Sequence, residues 1–502
     1  MRTVTAQYTA AESTAPVSPD SSSPQAASSP VRAGSRVVVI GGGPGGYEAA
    51  LVARQLGADV TVVEENGMGG SAVLTDVVPS KTLIATAEWM TLTESAAELG
   101  IHSGDDHLRV DMGEVNARVT RLAAQQSQDI AARLEKEGIT IVAGRGRLGA
   151  VTSAGGARIV DITPHEGEPF SLEAEMVLIA VGATPRELPT AKPDGERILT
   201  WKQLYTLTEL PEHLIVVGSG VTGAEFAGAY NQLGAEVTLV SSRVRVLPGE
   251  DEDAAELIEN VFKRRGMTVL SQSRAESVER TDDGVTVHLS DGRSVSGSHC
   301  LMAVGAVPNT RDLGLEEAGV RTTASGHIEV DRVSRTTAFR VYAAGDCTGV
   351  FPLASVAAMQ GRIAMWHALG DAVAPLSLTS VAANIFTAPE IATIGVTQAQ
   401  IDAGEVKGQV TRLPMARNPR AKMLGIKEGF AKVFSDADTG VVIGAVVVAP
   451  RASELIFPLT IAVTHRLTVD DVANVFTIYP SLSGTLGEAA RTLHHVQEED
   501  TF

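Results

Sequence analysis

Cysteine is nearly absent. The 502 residues hold two, Cys300 and Cys347. Their separation makes neither a CxxC redox pair nor a zinc knuckle, so no disulfide framework and no metal site are expected. Thiols this sparse are by default the reduced thiols of a cytoplasmic protein. Aromatic rings are also scarce, at 4% of residues, which leaves little for single-stranded nucleic acid to stack on. Basic charge is outweighed: 41 Lys and Arg against 60 Asp and Glu give a net charge of −19. Such a chain repels a phosphate backbone, so no nucleic-acid partner is expected. No run approaches the ~18 consecutive apolar residues of a membrane span; the apolar stretch 441–450 (VVIGAVVVAP) reads as a buried strand. Residues 1–35 are rich in Ser, Ala, Pro and Thr and lack the apolar segment of a secretory signal. They cannot bury enough surface to offset their ordering entropy, and disorder is expected there.

Glycine, by contrast, is plentiful at 49 residues. The length allows two to four domains at roughly 100–200 residues each. Order is expected to begin with Arg36–Ile40 (RVVVI), a β-branched run without alternation, as in a strand buried on both faces. It leads into 41–46 (GGGPGG), a small-residue helical pattern over 47–56, and a second strand at Asp59–Glu64. Gly41, Gly43 and Gly46 form G-x-G-x-x-G, with Pro44 and Gly45 between the last two. The first glycine permits the turn, the second lets a pyrophosphate approach the backbone, and the third lets helix pack on strand. The helix start offers N–H groups and the positive dipole end to phosphates. Glu64 ends the second strand, where a carboxylate can accept both ribose hydroxyls.

The same grammar recurs. A strand over 214–217 (LIVV) runs into Gly218, Gly220, Val221 and Gly223, then a helix, then a strand at Glu236–Val240. Here the terminal acid is missing, and Ser241, Ser242, Arg243 and Arg245 follow instead. A carboxylate at that place favours NAD and repels a 2′-phosphate, whereas serines and arginines accommodate one; a solvated basic loop is the alternative reading. Residues 112–138 read as one long helix between the two units. Asp346 follows Gly345 after a strand ending at Tyr342, and Leu353 with Ala354 opens an apolar helix through Met365. The stretch 384–484 has strands at 430–434 and 441–449 among amphipathic helices and no further glycine fingerprint, so it reads as a separate α+β domain.

Two dinucleotide units, a late Gly-Asp and a carboxy-terminal α+β domain resemble the flavoprotein disulfide reductases, the family of dihydrolipoamide dehydrogenase and glutathione reductase. The resemblance runs from residue 36 to about 490. The segment 69–81 (GGSAVLTDVVPSK) matches the family's redox segment in frame, 180–182 (AVG) and 303–305 (AVG) match its crossover strands, and 386–392 (FTAPEIA) matches the start of its dimerisation domain. The implied fold is α/β, with two Rossmann-like domains for FAD and NAD(P) and a C-terminal α+β dimerisation domain. The implied division is a tail over 1–35, an FAD-binding domain over 36–182 and 310–378, an NAD(P)-binding domain over 183–309, and a dimerisation domain over 379–502. The resemblance implies that Gly41, Gly43, Pro44, Gly45, Gly46, Glu64, Gly70, Ser71, Gly146, Gly182 and Asp346 hold FAD, with Leu353 and Ala354 starting a helix aimed at the flavin pyrimidine edge. It implies that Gly218, Gly220, Val221, Gly223, Ser241, Ser242, Arg243, Arg245 and Gly305 serve the nicotinamide nucleotide. Lys81 and Glu225 match a pair that lies beside flavin N5 in the family.

Two departures from the family redirect the chemistry. Its redox segment is GG-T-C-x4-C-x-PSK, and the cysteine positions here are Ala72 and Val77. Neither side chain forms a thiolate, so no dithiol relay is possible. The family's acid–base motif, H-P-T-x-S-E, is here 479–484 (YPSLSG): histidine has become Tyr479 and glutamate Gly484. A phenol with a pKa of about 10 is a poor base at neutral pH. Losing the thiols and their deprotonation machinery together indicates a changed substrate. The pattern resembles the bacterial NAD(P)H quinone reductases built on the disulfide-reductase fold. The expectation is hydride transfer from NADPH, NADH also being possible, to FAD and then directly to a quinone. The expected catalytic residues are Lys81, Glu225 and Tyr479, in a cytoplasmic homodimer whose Tyr479 reaches the partner's site. An NAD(P)H oxidase and a non-catalytic flavoprotein that binds a partner are the alternatives.

Overall fold

A computed structural model describes residues 34–96, 100–101, 108–151 and 156–494. The disorder expected over 1–35 lies outside these residues except for the last two. The α/β architecture expected from the sequence is present, with an antiparallel C-terminal sheet flanked by helices. The first sheet has seven strands in the order Val341–Ala343, Met176–Ile179, Arg36–Ile40, Asp59–Glu64, Thr140–Val151, Arg158–Pro164 and Phe170–Ala174. Its first five strands pair in parallel, and the last two add an antiparallel meander. Burial on both faces suits the unbroken apolar run of Arg36–Ile40, in which four of five residues are buried. Val341–Ala343 comes from far along the chain and closes the edge of this sheet by pairing with Met176–Ile179.

The second sheet is parallel throughout, in the order Thr268–Leu270, Glu236–Val240, His213–Val217, His299–Met302 and Ile198–Leu199. A short antiparallel ribbon, Ala183–Pro185 with Ala306–Pro308, lies just after the two crossover matches. The third sheet is antiparallel, in the order Ala383–Ile385, Glu390–Gly395, Val442–Ala449, Phe430–Asp436 and Gly408–Pro414.

The long helix expected over 112–138 is Met112–Lys136, and Asp111 caps it by accepting the Glu114 N–H at 3.0 Å. Helices Val77–Ala96 and Val221–Leu233 pack together. Leu83, Ile84 and Ala87 of the first share a buried cluster with Phe226, Ala227 and Tyr230 of the second and with Phe430 and Phe434 of the third sheet. Each such buried Leu, Ile or Phe contributes about 1.5–3 kcal/mol. The cluster therefore fixes the three parts of the chain against one another around the place where Lys81 and Glu225 emerge. Among the described residues no helix is long and apolar enough to cross a membrane.

Candidate functional site

The first fingerprint forms the expected turn. Gly41 takes φ +102°, and a Cβ there would collide with the carbonyl of Ala180. A Cβ on Gly46 would collide with the Gly41 carbonyl oxygen, so helix Pro44–Gln55 sits directly on the strand. At Gly43 the opposite holds: an added Cβ meets nothing within 4 Å, and no side chain caps the helix that starts there. That open backbone beside a bare helix start suits a pyrophosphate. Glu64 is buried, and its carboxylate accepts N–H groups from Gly42 at 2.5 Å and Asn66 at 2.7 Å, which pins the acid beside the glycine turn. Helix Ala354–Ala368 also starts without a side-chain cap, at Leu353. Burial raises the Asp346 carboxyl, with His327 opposing. A buried hydroxyl, Thr75 Oγ1, has no hydrogen-bond partner. An extended, polar, phosphate-bearing cofactor such as FAD fits these features.

Three distant segments meet at Glu225. Lys81 Nζ donates to Glu225 Oε2 at 2.7 Å, and the Phe386 amide donates to Oε1 at 2.9 Å. Lys81 Nζ also lies 5.0 Å from the centroid of the Phe386 ring. The Glu225 side chain is 4% exposed and that of Lys81 28%, so the ammonium faces an opening while its partner is enclosed. Asp76, one residue before Val77, belongs to the same region. Burial raises its carboxyl to about 6, with Lys81 and Lys202 opposing and Glu225 and Asp346 adding. Burial in turn lowers Lys202, which donates to Thr184 Oγ1 at 3.3 Å, and raises Tyr205. Sequence reasoning missed Asp76 and Lys202. Asp76 lay inside the matched redox segment, where an acid one residue before a lost cysteine was the available signal.

The second fingerprint opens onto a cavity of about 520 Å³ whose walls include Gly218, Gly220, Ser242 and Arg243. Of the nine residues expected there, Val221, Gly223, Ser241, Arg245 and Gly305 are not on its wall. Ser241 is fully buried: its hydroxyl lies 2.6 Å from Ser219 Oγ and accepts the Arg243 N–H at 3.1 Å. It shapes the loop from inside. Arg245 is not on the cavity wall and pairs with Glu252 at 2.7 Å. The cavity instead gains Arg186 and Arg274, which lie outside the fingerprint and carry no motif.

On the single chain Tyr479 stands in solvent at 82% exposure, beside the equally bare Phe476 and Ile478. Cys300 and Cys347 are buried, and burial pushes the Cys347 thiol up to about 12 and that of Cys300 higher still.

The chain matches the family described as pyridine nucleotide-disulphide oxidoreductase over residues 35–361, and that family's dimerisation domain over residues 381–490. A curated NAD(P)H dehydrogenase (quinone) of Mycobacterium tuberculosis (strain ATCC 25618 / H37Rv) is 53% identical over 461 residues, covering 91% of this chain and 94% of its own. Dihydrolipoyl dehydrogenase 2 of Haloarcula marismortui is 33% identical over 464 residues, covering 92% of this chain and 97% of its own. The crystal structure of LpdA from Mycobacterium tuberculosis matches the fold with a TM-score of 0.88 at 53% identity, over 92% of this chain and all of that one.

Proposed function

Because the chain belongs to the pyridine nucleotide-disulphide oxidoreductase family, we propose that it is an FAD-dependent NAD(P)H:quinone oxidoreductase that works without a dithiol relay. One observation carries this reading: Ala72 and Val77 occupy the family's cysteine positions while Lys81 and Glu225 stay paired at 2.7 Å. The relay has gone and the flavin-side ion pair remains. The 53% identity to a quinone-reducing relative supports it.

FAD would be held along Gly41–Gly46, by Glu64, by Asp346 and by the helix start at Leu353. When bound, FAD supplies the two-electron carrier between nicotinamide and acceptor. The protein's residues orient and polarise. Glu225, fixed by the Phe386 amide, holds the Lys81 ammonium in place as a stationary positive charge. The nucleotide would enter the cavity at Gly218 and Gly220, with NADPH accepted as well as NADH. We assign FAD binding to 36–182 and 310–378, nucleotide binding to 183–309 and dimerisation to 379–502.

The active species is a cytoplasmic homodimer. Phe476, Ile478 and Tyr479 form an exposed apolar edge on the dimerisation domain, of the kind that a two-fold partner covers. Tyr479 then reaches the partner's site, and its hydroxyl donates to a quinone oxygen as charge develops there. The deciding experiment is steady-state turnover of the FAD-loaded enzyme with a quinone panel, lipoamide, glutathione disulfide and oxygen. Quinone reduction with negligible lipoamide and disulfide reduction is expected. Robust lipoamide turnover that survives mutation of both cysteines would overturn the reading.

A further inference from the structure

We infer that Arg274, acting with Arg243, reads the 2′-phosphate of NADPH and sets the choice between the two nicotinamide nucleotides. This rests on the cavity at the second fingerprint being the nucleotide site.

The first observation is the sign of the charge. In a chain of net charge −19, the residues lining this cavity include three arginines, Arg186, Arg243 and Arg274, and no carboxylate. The second is what those arginines are free to do. Other arginines nearby are engaged: Arg245 pairs with Glu252 at 2.7 Å and Arg293 with Asp291 at 2.6 Å. Arg186 donates to the Ala306 carbonyl at 3.2 Å. Arg243 and Arg274 have no ion pair among the described residues. The third is rigidity. The loop that carries Arg274 is joined to the loop that carries Arg243 by two backbone bonds, Gln272 N–H to the Arg243 carbonyl at 2.8 Å and Ser273 N–H to the Ser241 carbonyl at 2.7 Å. Arg293 adds a bond to Ser273 Oγ at 2.7 Å. Arg274 thus follows directly on an anchored residue, and its backbone carbonyl accepts the Ser290 N–H at 2.9 Å.

A dianionic phosphate monoester suits two unpaired guanidiniums on two joined loops. It also accounts for the fate of Ser241. The hydroxyl at the usual place of the ribose-binding acid is turned into the fold, so discrimination must come from side chains that do face the cavity: Ser242, Arg243 and Arg274.

The experiment uses FAD-loaded full-length enzyme. Binding of 2′,5′-ADP and 5′-AMP is measured for wild type, Arg274→Ala, Arg274→Lys and Arg243→Ala, alongside kcat/KM for NADPH and NADH. Loss of one charge-assisted contact predicts that Arg274→Ala weakens 2′,5′-ADP by roughly 10–100-fold relative to 5′-AMP. The NADPH/NADH ratio of kcat/KM should fall by a similar factor, and Arg274→Lys should recover part of it. Equal losses for the two nucleotides, or an unchanged 2′,5′-ADP affinity, would overturn the assignment. If wild type reduces no quinone with either nucleotide, the oxidoreductase reading fails, while the binding arm still decides the role of Arg274.

Discussion

Lys432 offers the sharpest test of how the parts of the chain are held. Its ammonium lies 3.0 and 2.8 Å from the two oxygens of Asp251 and 2.5 Å from Asp253. The side chains of Lys432 and Asp251 are each 4% exposed, whereas Asp253 is 41% exposed. Lys432 belongs to strand Phe430–Asp436 of the third sheet, and both acids sit at the start of helix Glu252–Arg264 beside the second sheet. The contact therefore bridges two domains. Lys432→Met keeps the stem and removes the charge, which leaves Asp251 buried with only the Ala254 N–H that it caps, at 3.2 Å. Breaking a buried pair on one side costs about 3–5 kcal/mol, because the remaining charge is uncompensated. At ~2.1 cal/mol/K per residue, a chain of 502 residues has an unfolding entropy of roughly 1 kcal/mol/K, so Tm should fall by about 3–5 °C. Scanning calorimetry of the FAD-loaded enzyme, at fixed concentration and scan rate, measures it. Adding Asp251→Asn, which keeps a capping oxygen, should restore most of the loss. The pH dependence has a definite sign. Burial raises Asp253, but hydrogen bonding and charge from Lys432, with Arg412, outweigh this and hold it below its ordinary value. Its contribution is then present above the unfolded pKa and lost only as pH falls through the lower, folded one, so the gap between variant and wild type should narrow well below pH 4. A Tm within about 1 °C of wild type at neutral pH would refute the reasoning.

Tyr479→Phe should lower quinone turnover, on the order of 10²-fold for a donor aimed at developing charge, and leave flavin reduction by NADPH normal in stopped flow; unchanged turnover would make Tyr479 a packing residue. Asp76 carries a folded pKa raised to about 6, so the native state holds an extra proton and this group's contribution to stability falls as pH rises through about 4 to 6. Asp76→Asn should therefore raise Tm near pH 7.5 and give no gain near pH 4; the reverse pattern in a thermal melt series would contradict the burial argument. Cys300 and Cys347 are buried thiols with raised pKa values, so a thiol reagent such as DTNB should label neither in the folded enzyme and both after denaturation, and rapid labelling with loss of quinone turnover would show a thiol at work.

The glycine turns were legible because their residues are fixed by backbone chemistry. Gly41 needs a positive φ and Gly46 a bare Cα, and no other residue type serves. What could not be read was direction. Ser241 and Arg245 lie in the loop after the second fingerprint's strand, but a sequence does not say which side of a loop a side chain leaves by, and these two turn away from the cavity, toward Ser219 and Glu252. Arg274 was invisible for the complementary reason: it reaches the cavity from the far side of the next helix and strand, and only backbone pairing between the loops brings it there. The Lys81–Glu225 pair spans 144 residues and was reachable only through resemblance to a family.

The third sheet contributes to the site in two ways. The Phe386 amide, at the end of strand Ala383–Ile385, occupies one oxygen of Glu225 and leaves the other for Lys81. A carboxylate bound at both oxygens has no rotamer freedom to lose on catalysis, and the positive charge it holds is therefore fixed before substrate arrives. Lys432, on another strand of the same sheet, grips the start of helix Glu252–Arg264. One sheet thus anchors both the fingerprint helix that bears Glu225 and the helix Glu252–Arg264. Hydride transfer from nicotinamide to flavin requires the two rings to be held at a fixed distance and orientation. Two anchors from a single rigid sheet are a way to keep that distance constant.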